Sequence, residues 1–174
     1  MRRILIGSLP RILLIGMIAM SLQRVLFAKH PIADVKLQFV LALAVAAGAA
    51  GGAERGAIAG FALGLMYDLS GNTPLGLMAL CYGIGGIVAG YFHAYTPDAQ
   101  WWLLSVYAFA GALVGEACVP LMEVMTGDPG WVTGRLFVQV PLVAVAAAVW
   151  CPFLAPVARW MVAVKRKKWK APAT

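Results

Sequence analysis

The chain has little charge and very little acid. Asp and Glu number 7 in 174 residues, and charged residues make up 12% of the sequence, about half the ~25% usual in soluble domains. Hydrophobic residues make up 62%, against roughly 45–50% in soluble domains. This balance excludes an ordinary globular core with a polar shell. Cysteine is scarce. Cys81, Cys118 and Cys151 sit singly in apolar runs, odd in number and without a CxxC. They exclude a disulfide framework, leave a metal site unsupported, and read as small buried hydrophobes. Only two histidines occur, His30 and His93. There is no HExxH, GxSxG or P-loop pattern, and no acidic pair with a histidine inside an apolar run. The sequence therefore argues against an enzyme, and it implies no cofactor. No hydrophilic stretch is long enough for a second domain. Solenoid repeats and coiled-coil heptads are also missing, so any partner must be held by the bundle or its loops.

What remains is a series of long apolar runs. At about 20 residues per span, they read as six spans at about 12–27, 35–51, 53–69, 75–95, 101–124 and 136–162. The fold class is an all-α integral membrane bundle of six transmembrane helices, residues 1–164, followed by a basic cytoplasmic tail, residues 165–174. The second and third spans are short and separated by Glu54 and Arg55, which predicts a tight helical hairpin or an incomplete span. Pro10, Pro31, Pro74, Pro97 and Pro129 are expected at boundaries. Pro120, Pro141, Pro152 and Pro156 fall inside runs, where they predict kinks. The N-terminal run lacks a small-x-small cleavage site and reads as a retained signal-anchor helix.

The net charge of +7 is local. Ten basic residues fall on the side of both termini (Arg2, Arg3, Arg11, Arg55, Arg159 and the tail). Four fall on the other side: Arg24, Lys29, Lys36 and Arg135. This bias places both termini in the cytoplasm. Lys165, Arg166, Lys167, Lys168 and Lys170 read as contacts to anionic lipid rather than to nucleic acid. The six tryptophans lie mostly near span ends, as in an aromatic belt, with Trp150 an exception inside the sixth span.

The segment 56–90 concentrates the unusual residues. Gly48, Gly52, Gly56, Gly60 and Gly64 recur every fourth position, and Gly86/Gly90 and Gly111/Gly115 repeat the interval. Such spacing gives a bare face for close helix packing, read here as intrachain packing over a dimer seam. Asp68 ends the third run before the turn Ser70-Gly71-Asn72-Thr73-Pro74. It reads as a carboxylate that accepts bonds from turn amides and hydroxyls, in preference to a proton carrier. Glu116 lies mid-span and is the more anomalous acid, a possible intramembrane polar site.

The run Gly60-Phe61-x-x-Gly64-Leu65-x-x-Asp68, followed by Pro74-Leu75-Gly76 and Ala79-Leu80, resembles the core signature of the MreD family of bacterial rod shape-determining membrane proteins. The motif covers about residues 56–90, with Gly56, Gly60, Phe61, Gly64, Asp68, Pro74, Leu75 and Gly76 as its motif and packing residues. The length, the six spans and the basic tail are similar too. One departure concerns the second span, which the family often opens with P-D-L; here Pro31 and Asp34 are separated by two residues and Lys36 follows. The resemblance implies a non-enzymatic scaffold of the cell-wall elongation machinery in the bacterial cytoplasmic membrane. It would bind the bitopic protein MreC and act with MreB, RodA and its transpeptidase. The resemblance also implies a fold similar to the substrate-binding subunits of energy-coupling-factor transporters. Such a vitamin-binding subunit is the alternative reading. It is disfavoured by a first helix without a small-xxx-small pair and by external loops poor in convergent ligands.

Overall fold

The computed structural model describes residues 2–27, 38–70, 74–96, 100–125, 127 and 136–163. They form six helices, α1 (Arg2–Phe27), α2 (Phe39–Gly51), α3 (Ala53–Ser70), α4 (Leu77–His93), α5 (Trp101–Met125) and α6 (Leu136–Met161). No strand occurs among the described residues. Three helices are long and apolar enough to cross a membrane, through Ser8–Val25, Trp101–Met122 and Phe137–Met161. The other three are shorter or more polar. α2 has 13 residues, α4 has 17, and α3 has 18 including Glu54, Arg55 and Asp68. At 1.5 Å per residue α2 is about 20 Å long, short of the ~30 Å hydrocarbon thickness of a bilayer.

α2 is the centre of the bundle. Its sequence, FVLALAVAAGAAG, is apolar on every face, which suits a helix enclosed on all sides. Val40–Ala50 are all buried, and α3, α4, α5 and α6 all pack against them. The small Ala and Gly side chains let four neighbours close around one axis. α1 lies outside, mainly against α3, and its Arg11 guanidinium sits 5.0 Å over the Trp160 ring near the end of α6. Trp150 packs edge-to-face on Phe39 at 5.6 Å, so this tryptophan braces the start of α2 from inside α6.

Two sequence expectations change here. Pro10 was expected at a helix boundary, but it lies inside α1, which begins ten residues before Ile12. Proline deprives the carbonyl four residues back of a donor, a defect that membrane helices accommodate. The five-glycine ladder is not one helix face. The chain reverses at Gly52 (φ 89°) between α2 and α3, a conformation that costs glycine little and an L side chain more. The fourfold spacing therefore runs through a turn, with Gly48 on one helix and Gly56, Gly60 and Gly64 on the next.

These glycines still share one neighbour, α4. A Cβ built on Gly56 falls 2.3 Å from the Gly86 carbonyl oxygen, one on Gly60 2.2 Å from that of Tyr82, and one on Gly64 2.4 Å from that of Met78. Each four-residue step along α3 matches a four-residue step back along α4, as two antiparallel helices in backbone contact require. Gly48 meets Gly86 as well, so α2 and α3 converge on the same turn of α4. On the other side of α4, a Cβ built on Gly111 of α5 falls 2.5 Å from the Gly85 carbonyl oxygen. α4 is thus clasped between two glycine faces, and the seam lies within the chain.

Gly60→Ala should cost about 1–3 kcal/mol, the range for overpacking a tight interior. Gly83→Ala, where the nearest atoms lie 3.8 Å away, should change stability by less than about 0.5 kcal/mol. Thermal or denaturant unfolding in detergent checks the pair, and equal effects at both positions would contradict the seam.

Candidate functional site

Two buried carboxyl groups organise the polar interior. Asp68 is 3% exposed in the last turn of α3, where the helix dipole disfavours an anion. It is held by the start of α4. Its Oδ2 accepts from the Gly76 amide at 2.9 Å and the Ala79 amide at 3.2 Å, and its Oδ1 accepts from the Met78 amide at 3.2 Å. Met78 and Ala79 occupy the second and third helical positions, whose amides have no partner inside the helix and usually bond to the N-cap side chain. The N-cap here is Gly76, in the left-handed region (φ 95°) and without a side chain. Asp68 supplies the missing cap from eight residues upstream. The Leu77 amide donates to the Pro74 carbonyl at 3.2 Å and the Leu80 amide to the Gly76 carbonyl at 3.0 Å, which completes the first turn. Three charge-assisted bonds outweigh the unfavourable end of the α3 dipole, an effect of only about 0.3–1 kcal/mol.

Glu116 is 1% exposed and lies in α5, where α2 begins. Its Oε1 accepts from Gln38 Nε2 at 3.1 Å and from Gln139 Nε2 at 2.9 Å. Gln38 in turn accepts from the Tyr82 hydroxyl through Oε1 at 2.7 Å, and the Tyr82 ring lies 5.9 Å from that of Tyr67. The donors run in one direction, from Tyr82 through Gln38 to Glu116. Because Gln38 is the N-cap of α2, the carboxyl group stands at the positive end of that helix, where an anion is favoured. The network ties α2, α4, α5 and α6 together. A cavity of about 10 Å³ beside it, lined by Gln38, Phe39, Val143 and Trp150 among others, holds one water at most.

The remaining motif residues divide by face. Gly56, Gly60 and Gly64 meet α4 closely, whereas Phe61 is 48% exposed and borders the seam, its Cβ 3.8 Å from a Cβ built on Gly83. A helical step of one residue rotates the side chain by about 100°, so Phe61 sits at the edge of the glycine face rather than on it. Pro74 and Leu75 are exposed, and Gly76 makes the left-handed entry to α4. Cys81 and Cys151 are buried and Cys118 partly so, all as free thiols. The tail residues Lys165, Arg166, Lys167, Lys168 and Lys170, the residues Pro31, Asp34 and Lys36, and the turn residues Gly71, Asn72 and Thr73 lie outside the described residues. Sequence reading missed Gln38, Gln139 and Tyr82. A lone amide in an apolar run, as in LFVQVP, was the available signal.

Searches of protein-family models, curated proteins and solved structures return no match to the chain.

Asp68→Ala should destabilise the protein by at least about 2 kcal/mol, because three amides lose a charged acceptor at a largely buried helix start; a calorimetric midpoint in detergent measures it. Glu116→Leu leaves the donors of Gln38 and Gln139 facing an apolar side chain and should cost a similar amount, whereas Glu116→Gln keeps an acceptor oxygen and should cost less than half as much. Equal loss in both Glu116 variants would contradict the hydrogen-bonding role.

Proposed function

We propose that the protein is a non-enzymatic, six-span scaffold of the bacterial cytoplasmic membrane. In this reading it binds a single-span partner of the MreC type and helps position peptidoglycan synthesis within the cell-wall elongation machinery. Both termini lie in the cytoplasm, following the basic-residue bias.

The observation that carries the proposal is the division of labour within the MreD-like motif. Gly60 and Gly64 bring α3 onto α4, Gly76 turns the chain, and Asp68 caps α4. Every one of these motif residues serves the joint between two helices, and none lines a reaction centre. That use fits a protein whose task is to hold a shape for partners.

The surface supports a bilayer setting for the whole bundle. Leu14, Met17, Phe61, Leu80, Ile87, Val138, Val149 and Phe153 are exposed on four different helices. Contiguous apolar exposure of this extent marks contact with lipid or partners. α2 and α3 form a hairpin inside this shell, so the short α2 is shielded by its neighbours and does not need the full bilayer thickness. The interior is filled with small side chains around α2. The cavities beside the polar groups measure about 10 and 120 Å³, below the ~300–1,000 Å³ of drug-sized ligand pockets. This filling supports the scaffold over a vitamin-binding subunit.

Co-expression with an MreC-type partner tests the proposal. The wild-type chain should co-purify with the partner in detergent, and Gly64→Leu should reduce capture at least tenfold. Failure of the wild-type chain to retain the partner, together with saturable binding of a vitamin such as riboflavin or thiamine, would overturn it.

A further inference from the structure

A second cavity lies where the end of α1 meets the end of α3. It measures about 120 Å³ and is lined by Met20, Gln23, Arg24, Tyr67 and Ser70, well above the ~10–15 Å³ that admits one water. Its lining has a one-sided chemistry. The Arg24 guanidinium donates to the Ser70 carbonyl, and four further N–H donors remain on the same group. Gln23 accepts from the Val40 amide through Oε1 at 3.1 Å, so its NH2 group is left to donate. The Tyr67 and Ser70 hydroxyls add two more donors. Among the described residues, no carboxylate lines the cavity.

Among the described residues, the two buried acids are engaged elsewhere, Asp68 with the amides of α4 and Glu116 with Gln38 and Gln139. A cation among several neutral donors, with no carboxylate among the described lining residues, fits a phosphate group. The same lining offers nothing to the ammonium of a choline or ethanolamine headgroup. Exposed apolar residues adjoin the lining residues in both helices: Val25, next to Arg24, is 73% exposed, and Leu69, next to Ser70, is 70% exposed. A phosphate held by Arg24 therefore has apolar surface beside it on both helices, along which acyl chains can lie.

We infer that the cleft between the ends of α1 and α3 binds the phosphate of an anionic lipid headgroup, with Arg24 and Tyr67 as its principal contacts. Arg11, thirteen residues earlier in α1 and stacked on Trp160, lies about 20 Å away along the helix and serves as the internal control.

The test uses the full chain in an uncharged detergent, with native mass spectrometry reading the bound fraction against added lipid. Phosphatidylglycerol should bind more tightly than phosphatidylcholine. Arg24→Gln should weaken phosphatidylglycerol binding at least about tenfold, as expected for a lost charged hydrogen bond. Arg11→Gln should leave it unchanged. Tyr67→Phe removes one hydroxyl without changing volume and should weaken binding about threefold, which keeps the test sound if Arg24→Gln fails to fold. Unchanged binding in Tyr67→Phe and Arg24→Gln, or equal weakening in Arg11→Gln, would overturn the inference. Glycerol phosphate binding as tightly as the lipid would overturn the lipid assignment.

Discussion

The backbone contact between α3 and α4 is the constraint on which the rest of the structure depends. In lipid, helices gain nothing by hiding apolar side chains from each other, since the surrounding tails are equally apolar. Association rests on close packing and on polar groups that find partners. Gly56, Gly60 and Gly64 allow the α3 backbone to touch the carbonyls of Gly86, Tyr82 and Met78. A ladder with a four-residue repeat has one weakness, because a slip of one turn preserves much of its fit. Asp68 removes that ambiguity. Its carboxylate fits only where the amides of Gly76, Met78 and Ala79 converge, and Met78 is also the residue whose carbonyl faces Gly64. Packing and hydrogen bonding therefore specify the same register.

The second polar device works at a different place. Glu116, Gln38, Gln139 and Tyr82 link four helices through side chains alone. A buried carboxyl group in an apolar bundle is costly without such partners. Here two amide donors and the start of α2 offset the cost. The network fixes where the central helix begins, and it leaves the neighbouring space nearly filled. The bundle reads as a shape held from within by two acids, with its large apolar side chains turned outward.

The order and approximate extents of the helices were legible because apolar runs broken by Pro, Gly and isolated charges report on themselves locally. The glycine spacing was legible for the same reason. The break at residue 52 was legible in the span boundaries as well; that Gly48 and Gly56 then converge on the same turn of α4 was not, since the spacing says nothing about which helix lies opposite. The half-exposed place of Phe61 at the edge of the seam was likewise hidden, because the neighbouring glycines set the face and the motif only sets the sequence. Partnerships across long separations were out of reach: Gln38 and Glu116 are 78 positions apart, and no local pattern joins them. Charge made Asp68 and Glu116 stand out, but only the fold distinguishes a helix cap from the centre of a side-chain network. The end of α1 shows the same limit, since Arg24 and Ser70 become neighbours only when α1 lies against α3.

Amide hydrogen exchange of the purified chain in detergent tests the central claim most directly. If the α3–α4 joint is the rigid element on which the bundle depends, peptides covering residues 56–68 and 77–90 should be among the last to exchange, opening only with global unfolding. α1, the most sparsely packed of the six helices, should exchange earlier. Exchange across α3 and α4 as fast as that of α1 would contradict the account.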